Sequence, residues 1–263
     1  MDYASRQRLS LARTLSKTPK PLLAAAFAFF VAALFASAFP DAPGRAWTSL
    51  LATLAMALPA FVALVGYLGA RSGLIALFTL GLFGYAIEAV GVVTGFPYGG
   101  FEYSDALGGK FFGLVPYLLP VSYVPLVIGA VGAAWRFGSS RLAWVFRSAL
   151  LLILLDGVLD PGAVQLGFWS WSEDGLYYGV PLSNYFGWLL SGVIASYLLT
   201  LFTRFGRSDV LPRAGMLDGA ILGLAFWIGV AVFGGLVIPV VLGISLFVYL
   251  IHARSRLPRG ARV

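Results

Sequence analysis

Long apolar runs separated by short polar segments dominate this chain. Runs of about twenty residues occur at 22–39, 46–69, 73–94, 114–134, 142–160 and 181–203. An α-helix of this length crosses the hydrocarbon layer of a bilayer. A further apolar stretch, 217–252, is too long for one span and is interrupted by Gly234 and Gly235, so it holds one helix with a remnant or a hairpin of two. The pattern predicts an all-α fold, a polytopic bundle of about eight transmembrane helices, with seven as the alternative.

Composition agrees with a membrane protein and excludes several kinds of site. The chain is 60% hydrophobic and 11% charged, with a mean hydropathy of +0.89. Its basic residues lie in short segments between apolar runs, which fits membrane orientation better than nucleic-acid binding. There are no cysteines and a single histidine, His252. Disulfides, thiolate ligands and histidine-rich di-iron sites are therefore excluded, and we expect no metal.

The distribution of charge favours eight spans with both termini in the cytoplasm. In that arrangement sixteen of the eighteen basic residues, including the tail 1–20, are cytoplasmic, and only Arg45 and Lys110 lie outside. Seven spans would place the C-terminal arginines outside, against the positive-inside tendency. We therefore predict one integral domain, 1–263, in the cell membrane.

This topology places two long loops, 95–113 and 161–180, on the same extracytoplasmic side. Both are rich in glycine and aromatic residues, and each carries a Gly-Phe pair (95–96 and 167–168) and then a Val-Pro pair that leads into the next helix (115–116 and 180–181). Each also follows a helix that carries an acidic residue in its apolar run. We expect these loops to lie over one site.

Three acidic residues inside apolar runs are the candidate catalytic groups. Asp156 and Asp160 are four residues apart and share a helix face, and Pro161 predicts that this helix ends near Asp160. Glu88 lies six residues before Thr94, at a comparable depth. No lysine or arginine is expected at that depth, so a buried carboxyl group here is a candidate proton donor. The alternative is that the acids only join neighbouring helices through hydrogen bonds.

Aromatic and amide side chains near these acids are candidates for substrate binding. Aromatic faces attract cations and would stabilise a carbocation without reacting with it, and Asn184 could orient a water molecule. The alternative for many of the aromatics is a belt at the membrane interface. The candidates are Tyr98, Tyr103, Trp169, Trp171, Tyr178, Asn184, Tyr185 and Trp188.

Four motifs carry a resemblance to a known family. They are E-x2-G-x2-T-G-x-P-Y-G (88–99), L-D-G-x-L-D-P (155–161), G-x-W-x-W (167–171) and Y-x-G-V-P-x-x-N-x-x-G-W (177–188). In combination they resemble the membrane carotenoid hydratases of the γ-carotene and bisanhydrobacterioruberin type. The resemblance implies a catalytic core at 88–188. It also implies addition of water to the terminal isopropylidene double bond of a carotenoid, which gives a tertiary alcohol.

The chemistry of that reaction suggests roles for the three acids. Asp156 or Glu88 would protonate the alkene, and Asp160 would assist the donor or accept a proton from the attacking water. No cofactor is required. The expected partners are a carotenoid from the bilayer, water, membrane lipids and other enzymes of carotenoid synthesis, with no nucleic acid.

Three other functions use similar residues. A carotenoid cyclase shares the protonation step but ends in deprotonation. A membrane prenyltransferase is suggested because Asp156-x3-Asp160 resembles an aspartate-rich magnesium motif. A proton-coupled transporter also uses buried carboxylates.

The predicted topology can be tested with single cysteines, because the natural chain has none. Cysteines at positions 105 and 173 should react with an impermeant thiol reagent added to intact cells, and a cysteine at position 256 should not. Labelling of position 256 from outside would contradict the eight-span arrangement.

Overall fold

A computed structural model describes residues 18–40, 42–135, 140–203 and 212–258. Most of the predicted basic tail, 1–20, and several of the loop arginines lie outside these residues. The described part contains eight α-helices, which we number in chain order. They are α1 (Lys20–Ala38), α2 (Arg45–Leu68), α3 (Ala70–Thr94), α4 (Leu118–Ala134), α5 (Arg141–Gln165), α6 (Leu182–Phe202), α7 (Asp218–Phe233) and α8 (Val237–Ser255).

The predicted class, a polytopic helix bundle, is confirmed. Seven helical segments in the described residues are long and apolar enough to cross a membrane. The eighth, α4, has 17 residues, because Val115–Pro116 forms a strand where the sequence predicted the start of a span. At 1.5 Å per residue α4 is about 25 Å long, at the short end of the spanning range. The ambiguous stretch 217–252 is a hairpin, with α7 and α8 joined through Gly234 and Gly235.

Helices α4 and α7 form the interior of the bundle. Helix α4 is buried along nearly its whole length and packs against α2, α3, α5, α6 and α7. Helix α7 packs against α1, α2, α5 and α8. Its contact with α1 is close, since a Cβ atom at Gly229 would lie 2.5 Å from the carbonyl oxygen of Phe30. Glycine therefore allows the two backbones to approach.

Two small sheets lie at one end of the bundle, which we call the loop end. The first pairs β1 (Phe101–Tyr103) with β4 (Trp169–Trp171) in antiparallel register, and the second pairs β2 (Lys110–Phe111) with β3 (Val115–Pro116). Because β1 follows α3 and β4 follows α5, the two loops that the sequence places on one side are in direct contact. Which side of the membrane they face stays a prediction.

The prediction that α5 ends near Asp160 is wrong. The helix continues through Pro161 to Gln165. A proline inside a helix lacks the N–H group that would bond to the carbonyl four residues earlier, here Gly157. The Tyr177 hydroxyl donates a hydrogen bond to that carbonyl instead, at 2.9 Å. A loop side chain thus compensates for the missing backbone bond, and Asp160 lies about one and a half turns inside the helix.

The opposite end of the bundle contains a buried ion pair. The Arg254 guanidinium, near the end of α8, contacts the Asp218 carboxylate, the first residue of α7, through two hydrogen bonds. The two side chains are 7% and 13% exposed. The pair joins the two ends of the hairpin.

Removing one partner of this pair should destabilise the protein strongly. Arg254→Ala leaves the Asp218 carboxylate buried without its cation, at a cost of about 3 kcal/mol or more. The transition temperature in detergent should fall, and the exchanged pair Asp218→Arg with Arg254→Asp should recover part of the loss. Exposed Arg256 provides the control substitution, Arg256→Ala. Equal stability of the two single variants would contradict the prediction.

Candidate active site

A cavity of about 560 Å³ lies inside the bundle beneath the loop end. Glu88 reaches it from α3, Asp156 and Asp160 from α5, and Asn184 from the start of α6. The side chains of all four are buried. Helical rise places Glu88 about 9 Å below the end of α3, and Asp160 and Asp156 about 8 and 14 Å below the end of α5. The three acids therefore line one cavity, with Asp156 about 6 Å deeper along α5 than Asp160.

Tyr103 supplies a hydrogen-bond donor to Glu88. The Tyr103 hydroxyl donates to Glu88 Oε2 at 2.8 Å, and both side chains are buried. Burial raises the pKa of the Tyr103 phenol well above its ordinary value, and the nearby Glu88 raises it further. The phenol therefore stays protonated at neutral pH and remains a donor.

Asn184 connects the two aspartates. Its side-chain amide donates to Asp156 Oδ2 at 2.9 Å and to Asp160 Oδ2 at 2.5 Å. The indole N–H of Trp169 donates to the other oxygen of Asp160, Oδ1, at 2.5 Å. Asp156 Oδ1 is buried and has no hydrogen-bond partner among the described residues. Both Asp160 oxygens are thus engaged, whereas one Asp156 oxygen remains available.

Pairing of β1 with β4 places the two loop donors side by side. Tyr103 lies opposite Trp169 in the register, and their rings meet edge to face at 5.8 Å. Phe101 lies opposite Trp171, with ring centroids 5.3 Å apart. Successive strand residues point to opposite faces, so these four aromatics face the cavity while Glu102 and Ser170 are exposed. The strand pair is an aromatic roof over the acids.

Tyr98 completes the wall beside Glu88 because two glycines leave room for its ring. A Cβ atom at Gly91 of α3 or Gly187 of α6 would approach the Tyr98 ring to 2.9 and 2.3 Å, respectively. Burial, and then the charge of Glu88, raises the pKa of the Tyr98 phenol well above its ordinary value. Tyr98 is therefore a second neutral phenol close to Glu88.

Within the described part of the chain, no lysine or arginine forms an ion pair with Glu88, Asp156 or Asp160. Arg45 lines the same cavity, which the sequence did not predict. Its guanidinium donates to the carbonyls of Pro40 and Leu166 at 2.7 and 2.8 Å and lies 4.8 Å from the centre of the Phe168 ring. Arg45 thus holds the end of α5 through the carbonyl of Leu166. Over the described residues no three His, Asp or Glu side chains form a metal-binding cluster.

The structure brings together nine of the eleven residues predicted for the site. The two that do not line the cavity are Tyr178 and Tyr185. Tyr178 accepts a hydrogen bond from the backbone N–H of Ile238, and Tyr185 stacks edge to face against Tyr177. Those that line it are Glu88, Tyr98, Tyr103, Asp156, Asp160, Trp169, Trp171, Asn184 and Trp188.

Sequence reasoning missed the opposite wall, which comes from α1, α2, α4 and α7. Of these helices only α4 lies within 88–188, and apart from Arg45 most of the cavity-facing residues are apolar or small. The spacing of Gly219 and Gly223, four residues apart on α7, was the available signal, because it puts two small residues on one helix face. The residues include Phe35, Ser49, Met56, Tyr123, Gly223 and Trp227.

Fold and site together define an integral membrane protein with buried, hydrogen-bonded carboxylates in an apolar cavity under an aromatic roof. The chain belongs to the carotenoid biosynthesis protein family, whose model matches residues 44–250. It is also similar to bisanhydrobacterioruberin hydratase of Haloarcula japonica, with 40% identity over 190 residues. That match covers 70% of this chain and 64% of the relative's length. No solved structure matches the chain.

Proposed function

We propose that this protein is a carotenoid hydratase that adds water to the terminal isopropylidene double bond of a carotenoid. The observation that carries the proposal is the set of three buried carboxyl groups beneath aromatic rings in an apolar cavity. The name of the Haloarcula relative supports a hydratase. A long hydrocarbon suits the apolar lining, since a linear polyene offers no polar group to recognise.

Protonation of the alkene is the difficult step. A carboxyl group delivers its proton to the less substituted carbon, and the other alkene carbon becomes a tertiary cation. We assign the donor to Asp156, because its Oδ1 has no other hydrogen-bond partner in the described structure. Glu88 is the alternative donor. The aromatic rings that surround the acids, Trp169 and Trp171 among them, stabilise the cation through their faces.

Water then attacks the cation and loses a proton. Asp160 accepts hydrogen bonds from Asn184 and Trp169, which suits a carboxylate that receives this proton. One proton is given to the alkene by Asp156 and one is recovered from the water by Asp160, so alkene plus water yields the tertiary alcohol. Return of that proton from Asp160 to Asp156, which share the Asn184 amide, restores the donor. No electrons are transferred overall, and the balance requires no redox cofactor.

Membrane orientation and partners complete the proposal. We infer that the protein lies in the cell membrane with both termini cytoplasmic and the roof on the extracytoplasmic side. The catalytic core, 88–188, is completed by the apolar walls of α1, α2 and α7. Substrate arrives from the bilayer, and other enzymes of carotenoid synthesis act on the same lipid-soluble intermediates.

Expression in a lycopene-producing host tests the reaction. Pigments should gain the mass of one water per modified end, and the new oxygen should carry label from heavy-oxygen water and none from labelled dioxygen. Activity should persist without air. Unchanged mass with altered absorption would indicate a cyclase, added isoprenoid mass a prenyltransferase, and label from dioxygen a hydroxylase. Each of these results would refute hydration.

Amide substitutions distinguish catalytic acids from structural ones. Asp156→Asn and Glu88→Gln retain size and hydrogen-bonding capacity but cannot donate an acidic proton. If the groups only join helices, the amides should keep most activity, because such contacts are worth about 0.6 kcal/mol. If Asp156 is the acid, its amide should accumulate normally and bind carotenoid, yet lose about a hundredfold or more in turnover.

Asp105→Asn provides the control, since it is the same change at an exposed loop carboxyl group that does not line the cavity, and it should keep the parent's turnover. Near-normal turnover in both Asp156→Asn and Glu88→Gln would refute the assignment and direct attention to Asp160.

A further inference from the structure

The wall of the cavity opposite the acids has an unusual construction. Helices α1 and α2 are consecutive in the chain, yet over their described residues they make little contact with each other. Each packs on α7 instead, so the face of α7 between them forms the floor of the cavity. The match to the family model begins at residue 44 and therefore does not include α1.

The cavity opens between α1 and α2. Phe35 of α1 and Phe39, the residue after that helix, line it while remaining 58% and 60% exposed, and Thr48 on α2 is also exposed. Residues that both line a cavity and lie on the surface mark its mouth. Phe35 and Thr48 lie three residues, about 5 Å, from the loop ends of α1 and α2, so the mouth opens sideways between these two apolar helices near the loop end of the bundle. In a membrane-spanning bundle such a side opening would face lipid chains.

The cavity is also elongated along the helices. On α2 its lining extends from Arg45 to Ala57, which corresponds to about 18 Å at 1.5 Å per residue. On α7 the lining extends from Trp227 to Gly219, and Gly219 lies about 12 Å farther from the loop end than Trp227. Trp227 lies against α5 at Gly162, where a Cβ atom would be 3.0 Å from the indole, close to the level of Asp160.

The two glycines on the floor differ in their surroundings. A Cβ atom at Gly219 would lie 2.8 Å from Pro125 and 3.0 Å from Ala60, so this glycine closes the deep end through tight packing. A Cβ atom at Gly223, one turn nearer the acids, would meet no atom within 4 Å. Gly223 therefore faces the open part of the cavity, and the helix does not require glycine there for packing.

We propose that the polyene chain of the substrate enters between α1 and α2 and lies along α7 over Gly223, with its end group at the acids. Gly223 is then a residue that determines specificity for long, linear substrates. This inference rests on the proposed function for the identity of the occupant. It is supported by the continuity of one apolar space from the lipid-facing mouth to the carboxyl groups.

Filling the space at Gly223 tests the inference. Gly223→Leu places a branched side chain where the polyene would lie, and leucine favours helix more than glycine, so the fold should persist. The control is Gly81→Leu on α3, which does not line the cavity and whose Cβ would meet only Pro120, at 3.8 Å. The substrates are lycopene and geranylacetone, a short isoprenoid ketone that ends in the same isopropylidene group.

The variant should separate the two substrates. KM for lycopene should rise about tenfold or more, with kcat/KM for geranylacetone within about twofold of the parent. Gly81→Leu should change neither. Unchanged kinetics with lycopene in Gly223→Leu would overturn the proposal, and so would an equal loss with both substrates, because that indicates general damage near the acids.

Binding provides a readout that does not depend on hydration. The amount of lycopene that copurifies, measured by its absorbance, should fall about tenfold in Gly223→Leu and stay at the parent level in Gly81→Leu. If the parent binds lycopene without hydrating it and Gly223→Leu loses that binding, the groove is correct and the proposed reaction is wrong. If the parent retains no lycopene, the groove is wrong.

A second variant tests the mouth. Ser49→Trp places an indole on the α2 side of the opening, and Leu51→Trp on the same helix is its control because Leu51 is exposed and does not line the cavity. Uptake of lycopene from liposomes should slow markedly in Ser49→Trp alone. Equal uptake rates in the two variants would exclude entry between α1 and α2.

Discussion

Burial of three carboxyl groups in an apolar bundle is the constraint on which the site depends. An acid in such surroundings needs hydrogen-bond donors, because burial removes the bulk water that would otherwise solvate the carboxyl group. Tyr103 donates to Glu88 and Trp169 donates to Asp160, and both of these donors come from loops. Asn184, at the start of α6, donates to Asp156 and Asp160. The antiparallel pairing of β1 with β4 holds these two loops together. The roof therefore positions the acids as much as it covers them.

Hydrogen-bond donors from the loops also explain why α5 can carry a proline between its acids and its end. Without an N–H at Pro161, the carbonyl of Gly157 would be left unsatisfied inside the bundle, at a cost of about 1 to 3 kcal/mol. Tyr177, from the loop that also contains β4, donates to that carbonyl. The loop between α5 and α6 thus supplies two donors: the Trp169 indole donates to Asp160, and the Tyr177 hydroxyl donates to the Gly157 carbonyl about one turn below it. A change in this loop would affect both the helix and its carboxyl group.

The helical class, the hairpin at 217–252 and the acids of the cavity were predictable from sequence, because apolar length and buried charge are local signals. The continuation of α5 past Pro161 was not, since the compensating donor, Tyr177, lies sixteen residues farther along the chain. The sequence also did not reveal that Tyr178 and Tyr185 do not line the cavity, because an aromatic next to a site satisfies the same pattern as one within it. For the wall formed by α1, α2 and α7, the only signal in the sequence was the spacing of Gly219 and Gly223. Apolar residues that face a cavity and those that face lipid are chemically alike, so the sequence does not distinguish them.

The two walls of the cavity are therefore under different constraints. On the acid wall each residue has a defined partner: Asn184 must reach two carboxyl groups, and Tyr98 needs glycine on both neighbouring helices. A substitution there leaves a buried polar group unsatisfied or displaces a ring, and the cost is large. The opposite wall is lined mostly by apolar or small residues, and at Gly223 there is unfilled space. The space along α7 and α1 can thus be filled while the acids and their hydrogen-bond donors stay as they are, provided that the roof remains paired.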